Sequence, residues 1–249
     1  MNFRFQFAAI GLVLAAFGQA HAAPINIVAP GSLAGGQVAT FDDVAGGASP
    51  GTNYNAIFVS GGVRFGERFA GQSNTPVNGF DVLTGSPGGP LTVVAGAPNA
   101  NLNIFLFGQS NVLTGLGPVG FPDADAIGEG SVAALFSSEQ SEFGFDIVGG
   151  DGGSATLSFF RRNGSLIDTL VLSGLSNTSY AFRREGNLLD IAGVSIFNSD
   201  PGGIGFDNVR FNVPSGGGGG GGTTPEPGTF ALVALALLSA YAVRRKLSA

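Results

Sequence analysis

Apolar and polar positions alternate with a period of two along most of this chain, in short runs separated by small polar residues. A period of two sends successive side chains to opposite sides of an extended backbone, so each run reads as a strand with one buried face. Strands are predicted over 25–29, 37–41, 57–59, 63–65, 91–95, 102–107, 132–137, 142–148, 154–160, 166–172, 178–183, 189–197 and 205–213. Gly, Pro, Asn and Asp fill the intervals, and these are the residues that turns require. Within this stretch only 131–141 carries a helical pattern, and a weak one.

The signal is strongest in the second half. Phe143, Phe145 and Ile147 share one face of a strand. Gly149-Gly150-Asp151-Gly152-Gly153 follows as a turn, and Ala155, Leu157 and Phe159 then alternate in the same way. Arg161-Arg162-Asn163-Gly164 closes a second turn, with Asn163 and Gly164 both expected at positive φ. Ile167, Thr169 and Val171 alternate in the next strand. Successive hairpins predict a meander within an all-β, antiparallel two-sheet sandwich. Pattern alone leaves jelly-roll and immunoglobulin-like strand orders open.

The two ends follow a different rule. Residues 1–22 have a weakly basic start (Arg4), an apolar run from Phe7 to Phe17, and then Gln19-Ala20-His21-Ala22. Ala20 and Ala22 satisfy the small-x-small preference of signal peptidase, which places the cut of a signal peptide after Ala22. The alternative is a membrane anchor or buried helix, against which stand the shortness of the run and Pro24. Toward the C-terminus, Ser215 and a run of glycines to Gly222 make a flexible spacer. Thr223-Thr224-Pro225-Glu226-Pro227-Gly228 precedes an apolar stretch over 230–243, and Arg244-Arg245-Lys246 follows it. As a helix that stretch is about 21 Å long, short of the ~30 Å hydrocarbon core, so a span needs Gly228, Thr229 and some local thinning. The basic cluster would stay cytoplasmic and leave the body outside the inner membrane. The expected organisation is a signal peptide (1–22), a β-sandwich (23–214), a Gly-rich linker (215–224) and a C-terminal segment with a short transmembrane helix (225–249).

Composition narrows the chemistry. There is no Cys, so neither a disulfide frame nor a thiol nucleophile exists. The single His is His21, inside the signal segment, so the mature chain has no imidazole for Ser-His-Asp catalysis or zinc ligation. The body keeps seven Arg against sixteen carboxylates, and an acidic surface of this kind repels nucleic acid.

Pro225-Glu226-Pro227, a short apolar helix and a terminal Arg-Arg-Lys together resemble the PEP-CTERM sorting signal. The alternative is a plain C-terminal anchor in which Pro-Glu-Pro is accidental. The resemblance implies recognition of Pro225, Glu226 and Pro227 by exosortase, removal of the tail, and release to the surface or matrix of a Gram-negative bacterium that makes exopolysaccharide. Thr40-Phe41-Asp42-Asp43 near the start and Gly205-Phe206-Asp207-Asn208-Val209-Arg210-Phe211 at the end resemble the lectin-like jelly-roll bodies of such proteins. A non-enzymatic surface or matrix component is the leading expectation, ahead of a carbohydrate-binding module, a calcium-stabilised adhesive protein and a carboxylate glycosidase.

Each chemistry has its candidates. Calcium needs several hard oxygens, and Asp42, Asp43, Asp207 and Asn208 would supply them if the first and last strands meet. Asp123 and Asp125 form Asp-x-Asp in a loop, where solvated turn acids are the plainer reading. Glu67, Glu129, Glu139, Glu142 and Glu185 are the acids from which a hydrolytic pair would come. Asn-rich loops at 74–78 and 99–103 offer hydrogen bonds to sugars, whereas Trp is absent and most Phe occupy buried-looking positions. Arg161-Arg162 and Arg183-Arg184 could meet an anionic polysaccharide or simply form rim salt bridges. Replacing Pro225–Pro227 with alanines should leave an uncleaved, membrane-retained protein, detected by fractionation and terminal mass spectrometry. Processing identical to wild type would contradict that role.

Overall fold

The structure is a computed structural model that describes residues 24–212. The signal segment with Ala20 and Ala22, the glycine linker, Pro225, Glu226, Pro227 and the apolar C-terminal stretch lie outside the described residues. In chain order the strands are β1 (Ile25–Val28), β2 (Gln37–Ala39), β3 (Thr52–Tyr54), β4 (Phe58–Ser60), β5 (Val63–Gly66), β6 (Arg68–Phe69), β7 (Ser73–Val77), β8 (Phe80–Thr84) and β9 (Val93–Val94). They continue with β10 (Leu102–Phe107), β11 (Ser110–Gly115), β12 (Val132–Gln140), β13 (Glu142–Gly149), β14 (Ser154–Phe160), β15 (Leu166–Ser173), β16 (Ser179–Arg184), β17 (Ile191–Asn198) and β18 (Ile204–Phe211).

Two sheets dominate. The larger runs β1-β16-β13-β18-β11-β10-β3, with β2 also paired to β18; the smaller runs β15-β14-β17-β12-β5-β4. The pairings within both are antiparallel. Their inner faces meet in one apolar core, with Phe143, Phe145, Phe182 and Phe206 from the larger sheet against Phe65, Phe136, Leu157, Phe159 and Ile196 from the smaller. The rings of Phe143 and Phe159, from opposite sheets, stand edge to face at 6.1 Å, and Phe159 and Phe182 lie 5.5 Å apart. Such offset ring pairs add to the burial of their area. The core leaves a void of only ≈ 10 Å³, room for no more than one water.

The strand predicted over 132–137 is β12, longer than expected, and the weak helical pattern over 131–141 arises from burial on both faces. Val132, Ala134 and Phe136 enter the main core. Ala133 and Leu135 join a second cluster with Phe69, Leu91, Val93, Phe160 and Ala192 on the other side of the smaller sheet. A strand covered on both sides has no polar face, so its period is hidden.

The expected meander is also corrected. β13 and β14 lie in different sheets, so 149–153 carries the chain across the sandwich, and of the predicted run of hairpins only β14–β15 forms. The buried carboxylate of Asp200 pins this crossing, accepting from the N–H groups of Asp151 (2.8 and 2.9 Å), Gly153 (2.8 Å) and Gly202 (3.1 Å). At the β14–β15 turn only Gly164 has a positive φ, of 84°, and Arg161 donates its N–H to Ser165 across a longer loop. Two-residue turns with both φ positive are Asn78 (52°) with Gly79 (91°), joining β7 to β8, and Gly61 (56°) with Gly62 (85°), joining β4 to β5.

β18 explains the Phe-Asp-Asn-Val phrase. Asp207 faces Asp146 and Arg210 faces Gly144, so β18 carries one extra residue between those pairs. That bulge sits at Asn208, with φ 48°, a conformation Asn tolerates better than most residues. Phe206, Val209 and Phe211 therefore all reach the core, although strict alternation would turn Val209 outward.

Candidate functional site

Inner-face positions being committed to the core, the outer face of the larger sheet collects the residues of opposite parity. Ile104 and Leu113 are core partners, which turns Asn103, Phe105 and Phe107 outward, opposite Thr114, Val112 and Ser110. Gly205 faces Thr114 on one side and Val148 on the other. Phe107 is 56% exposed, Phe105 is half-buried, and their rings lie 6.3 Å apart at 84°. Together with Thr114, Ile127, Val148, Gly203 and Gly205 they line a groove of ≈ 120 Å³. Its floor is low because Gly205 has no room for a side chain; a Cβ there would lie 2.4 Å from Val112 Cγ1.

A polar strip continues from this groove. Ser110, directly opposite Phe107, donates to Asp207 Oδ2 at 2.8 Å. Asp207 Oδ1 accepts from the N–H of Asn208 at 2.6 Å, and Asn208 Nδ2 donates to Asp146 at 2.9 Å. Arg210 grips Asp146 through both terminal nitrogens, at 2.6 and 2.9 Å, and Ser179 Oγ donates to it at 2.6 Å. Burial opposes the charge of Asp146, but the hydrogen bonds from Arg210, Ser179 and Asn208 outweigh it and hold the carboxyl below its ordinary value. The same bond raises the guanidinium of Arg210.

The expected calcium ligands are only partly brought together. β2 does pair with β18, yet Asp42 and Asp43 follow it in an exposed turn. Asp42 accepts from the N–H of Asn111 at 3.3 Å, one residue from Ser110, while Asp43 accepts from Ser60 Oγ (2.5 Å) and Gly61 N–H (2.9 Å) at the β4–β5 turn. Asp207 and Asn208 are engaged as described above. Among the described residues no three or more His, Cys, Asp or Glu side chains group as metal ligands do.

The remaining candidates are dispersed. Glu67 pairs with Arg68 and accepts from Asn74 Nδ2 at 3.0 Å, beside an open cleft. Burial raises the carboxyl of Asp81 on β8. Glu139 pairs with Arg162 and Glu142 with Arg183, while Glu142 also accepts from the N–H groups of Ala34 and Gly35. Burial, then Asp125 and Asp123, raise Glu129. Asp123 accepts from the N–H of Asp125 in a local turn, and Glu185 begins another. In the 99–103 loop, Asn101 and Asn103 donate to the backbone carbonyls of Tyr54, Ala56 and Pro50, so their amides are scaffolding. Phe105 and Phe107 were missed as surface rings, although they share the parity of Asn103 and that parity is readable from the alternation.

Residues 223–246 match the PEP-CTERM protein-sorting motif. No curated protein and no solved structure matches the chain. The motif implies an exported protein that is transiently anchored in the membrane and processed by exosortase.

The Asp146 clasp has a definite pH signature. A carboxyl lowered in the folded state contributes stability above its unfolded value of 3.8, and that contribution is lost as pH falls through the folded value. Asp146→Asn should therefore cost about 1–3 kcal/mol in urea unfolding at pH 7. The deficit should shrink toward pH 3. A deficit that does not change with pH would rule out the charged clasp.

Proposed function

We propose that the folded body is a non-enzymatic polysaccharide-binding module, carried out of the cell by the sorting tail and held at the surface or in the matrix through exopolysaccharide. One observation carries the reading: two aromatic rings, Phe105 and Phe107, stand outward beside a glycine-floored groove that runs into a hydrogen-bonding strip. A sugar ring has an apolar face that packs on an aromatic side chain and hydroxyls at its edge that both donate and accept. The groove supplies the first contact. Ser110, Asn208 and Arg210 supply the second, in a row fixed by their bonds to the buried Asp207 and to Asp146.

The jelly-roll reading of the body draws support from β2 and β18, which bring the opening and closing phrases side by side. Export explains the rest of the design. A body without Cys needs no oxidising partner for its stability, so its fold does not depend on the redox state of the compartment it enters.

Affinity electrophoresis of the full-length protein in gels containing the host's exopolysaccharide tests the proposal. Wild type should be retarded, and the double variant Phe105→Ala/Phe107→Ala should lose at least about tenfold in affinity with its fold retained. Equal retardation of both proteins, or none for wild type, would sink it.

A further inference from the structure

We infer that a second site, on the outer side of the smaller sheet, binds the carboxylate of an acidic saccharide between Arg64 and Arg162. Of the seven arginines in the described residues, Arg68, Arg161, Arg162, Arg183, Arg184 and Arg210 each form an ion pair. Arg64 alone has no carboxylate within salt-bridge distance among the described residues, in a body where acids outnumber arginines more than two to one. Chance alone would more readily leave an acid unpaired than an arginine.

The placement of Arg64 supplies a reason. It lies between the core residues Val63 and Phe65 on β5, so its side chain is on the outer face. There it borders a pocket of ≈ 290 Å³ whose other walls are Gly62, Leu135, Phe136, Ser137 and Arg162. This is near the lower end of volumes that hold small ligands. Arg162 is held in place, donating to Phe136 O at 2.8 Å and to Glu139 at 3.0 Å, and its second terminal nitrogen is left without a partner. Glu139 already balances Arg162, so the unmatched charge at this pocket is that of Arg64, and a carboxylate matches the planar donors of a guanidinium. Leu135 offers apolar wall and Ser137 a hydroxyl, which suits a uronic acid better than a bare anion. A Cβ on Gly62 would meet nothing within 4 Å, so the mouth is open on that side.

The choice of a saccharide rests on the polysaccharide reading above, but the site is on the opposite face of the sandwich and can be tested apart from it. Calorimetric titration of the full-length protein with trigalacturonate, a neutral galactose trimer and inorganic phosphate separates the cases. Trigalacturonate should bind, weaken as salt rises, lose about tenfold in affinity or more in Arg64→Gln, and be unaffected by Phe105→Ala/Phe107→Ala. Arg64 makes no ion pair that folding needs, so Arg64→Gln should keep the wild-type melting temperature. Phosphate binding as tightly as trigalacturonate would overturn the saccharide assignment. Trigalacturonate affinity unchanged in Arg64→Gln, or lost in the phenylalanine variant, would overturn the site itself. Neutral sugars failing on every protein while the Arg64-dependent titration survives would remove the aromatic-face reading and leave this one standing.

Discussion

Burial of a phenylalanine seam between two antiparallel sheets is the constraint from which the rest of this molecule follows. Phe65, Phe136, Phe143, Phe145, Phe159, Phe182 and Phe206 are all essentially out of contact with water. Each such side chain contributes about 1.5–3 kcal/mol relative to exposure. A chain without disulfides depends on that term. A one-residue slip in any inner strand would turn its rings to solvent, so the register is fixed by the same residues that supply the stability.

Fixing the inner face also decides what the outer face presents. Phe105 and Phe107 are outside because Ile104 is inside; Gly205 forms a floor because Phe206 beside it is in the core. The bulge at Asn208 lets β18 send Phe206 and Val209 inward while its side chain reaches Asp146. The charged clasp and the hydrophobic seam are thus two sides of one strand. On the smaller sheet the outer face is divided. The β6 and β9 segments cover one part with the second apolar cluster, and beyond them Arg64 borders a pocket.

Most of the fold was legible where a strand has one wet face and one dry one. β13, β14, β15 and β18 announce themselves through Phe143, Leu157, Ile167 and Phe206 at alternate positions. β12 was ambiguous because both its faces are dry. The β7–β8 hairpin was missed because both its strands are short of buried apolar residues and one contains Pro76, although Asn78-Gly79 marks its turn. β11 was missed because its apolar residues are few, with Val112 and Leu113 adjacent rather than alternating. Sheet membership was not legible at all: a glycine-rich turn reads the same whether it closes a hairpin or crosses a sandwich, and only Asp200, fifty residues downstream of Gly150, distinguishes them. For the site, Asp207 and Asn208 were singled out together with Asp42 and Asp43. The side chains that bond them, Ser110 and Asp146, come from β11 and β13, whose adjacency to β18 no local pattern encodes.

The tail and the body answer different questions. The sorting motif at 223–246 implies export, and the proposed polysaccharide binding by the outer face of the larger sheet would give a reason for it. Chemical-shift mapping of the full-length protein, titrated with the host's exopolysaccharide, tests that link most directly. The account predicts the largest shifts at Phe105, Phe107, Ser110 and Gly205, falling away through Asp207 toward Arg210. Shifts confined to the edge strand β15, or no shifts at saturating polymer, would contradict it.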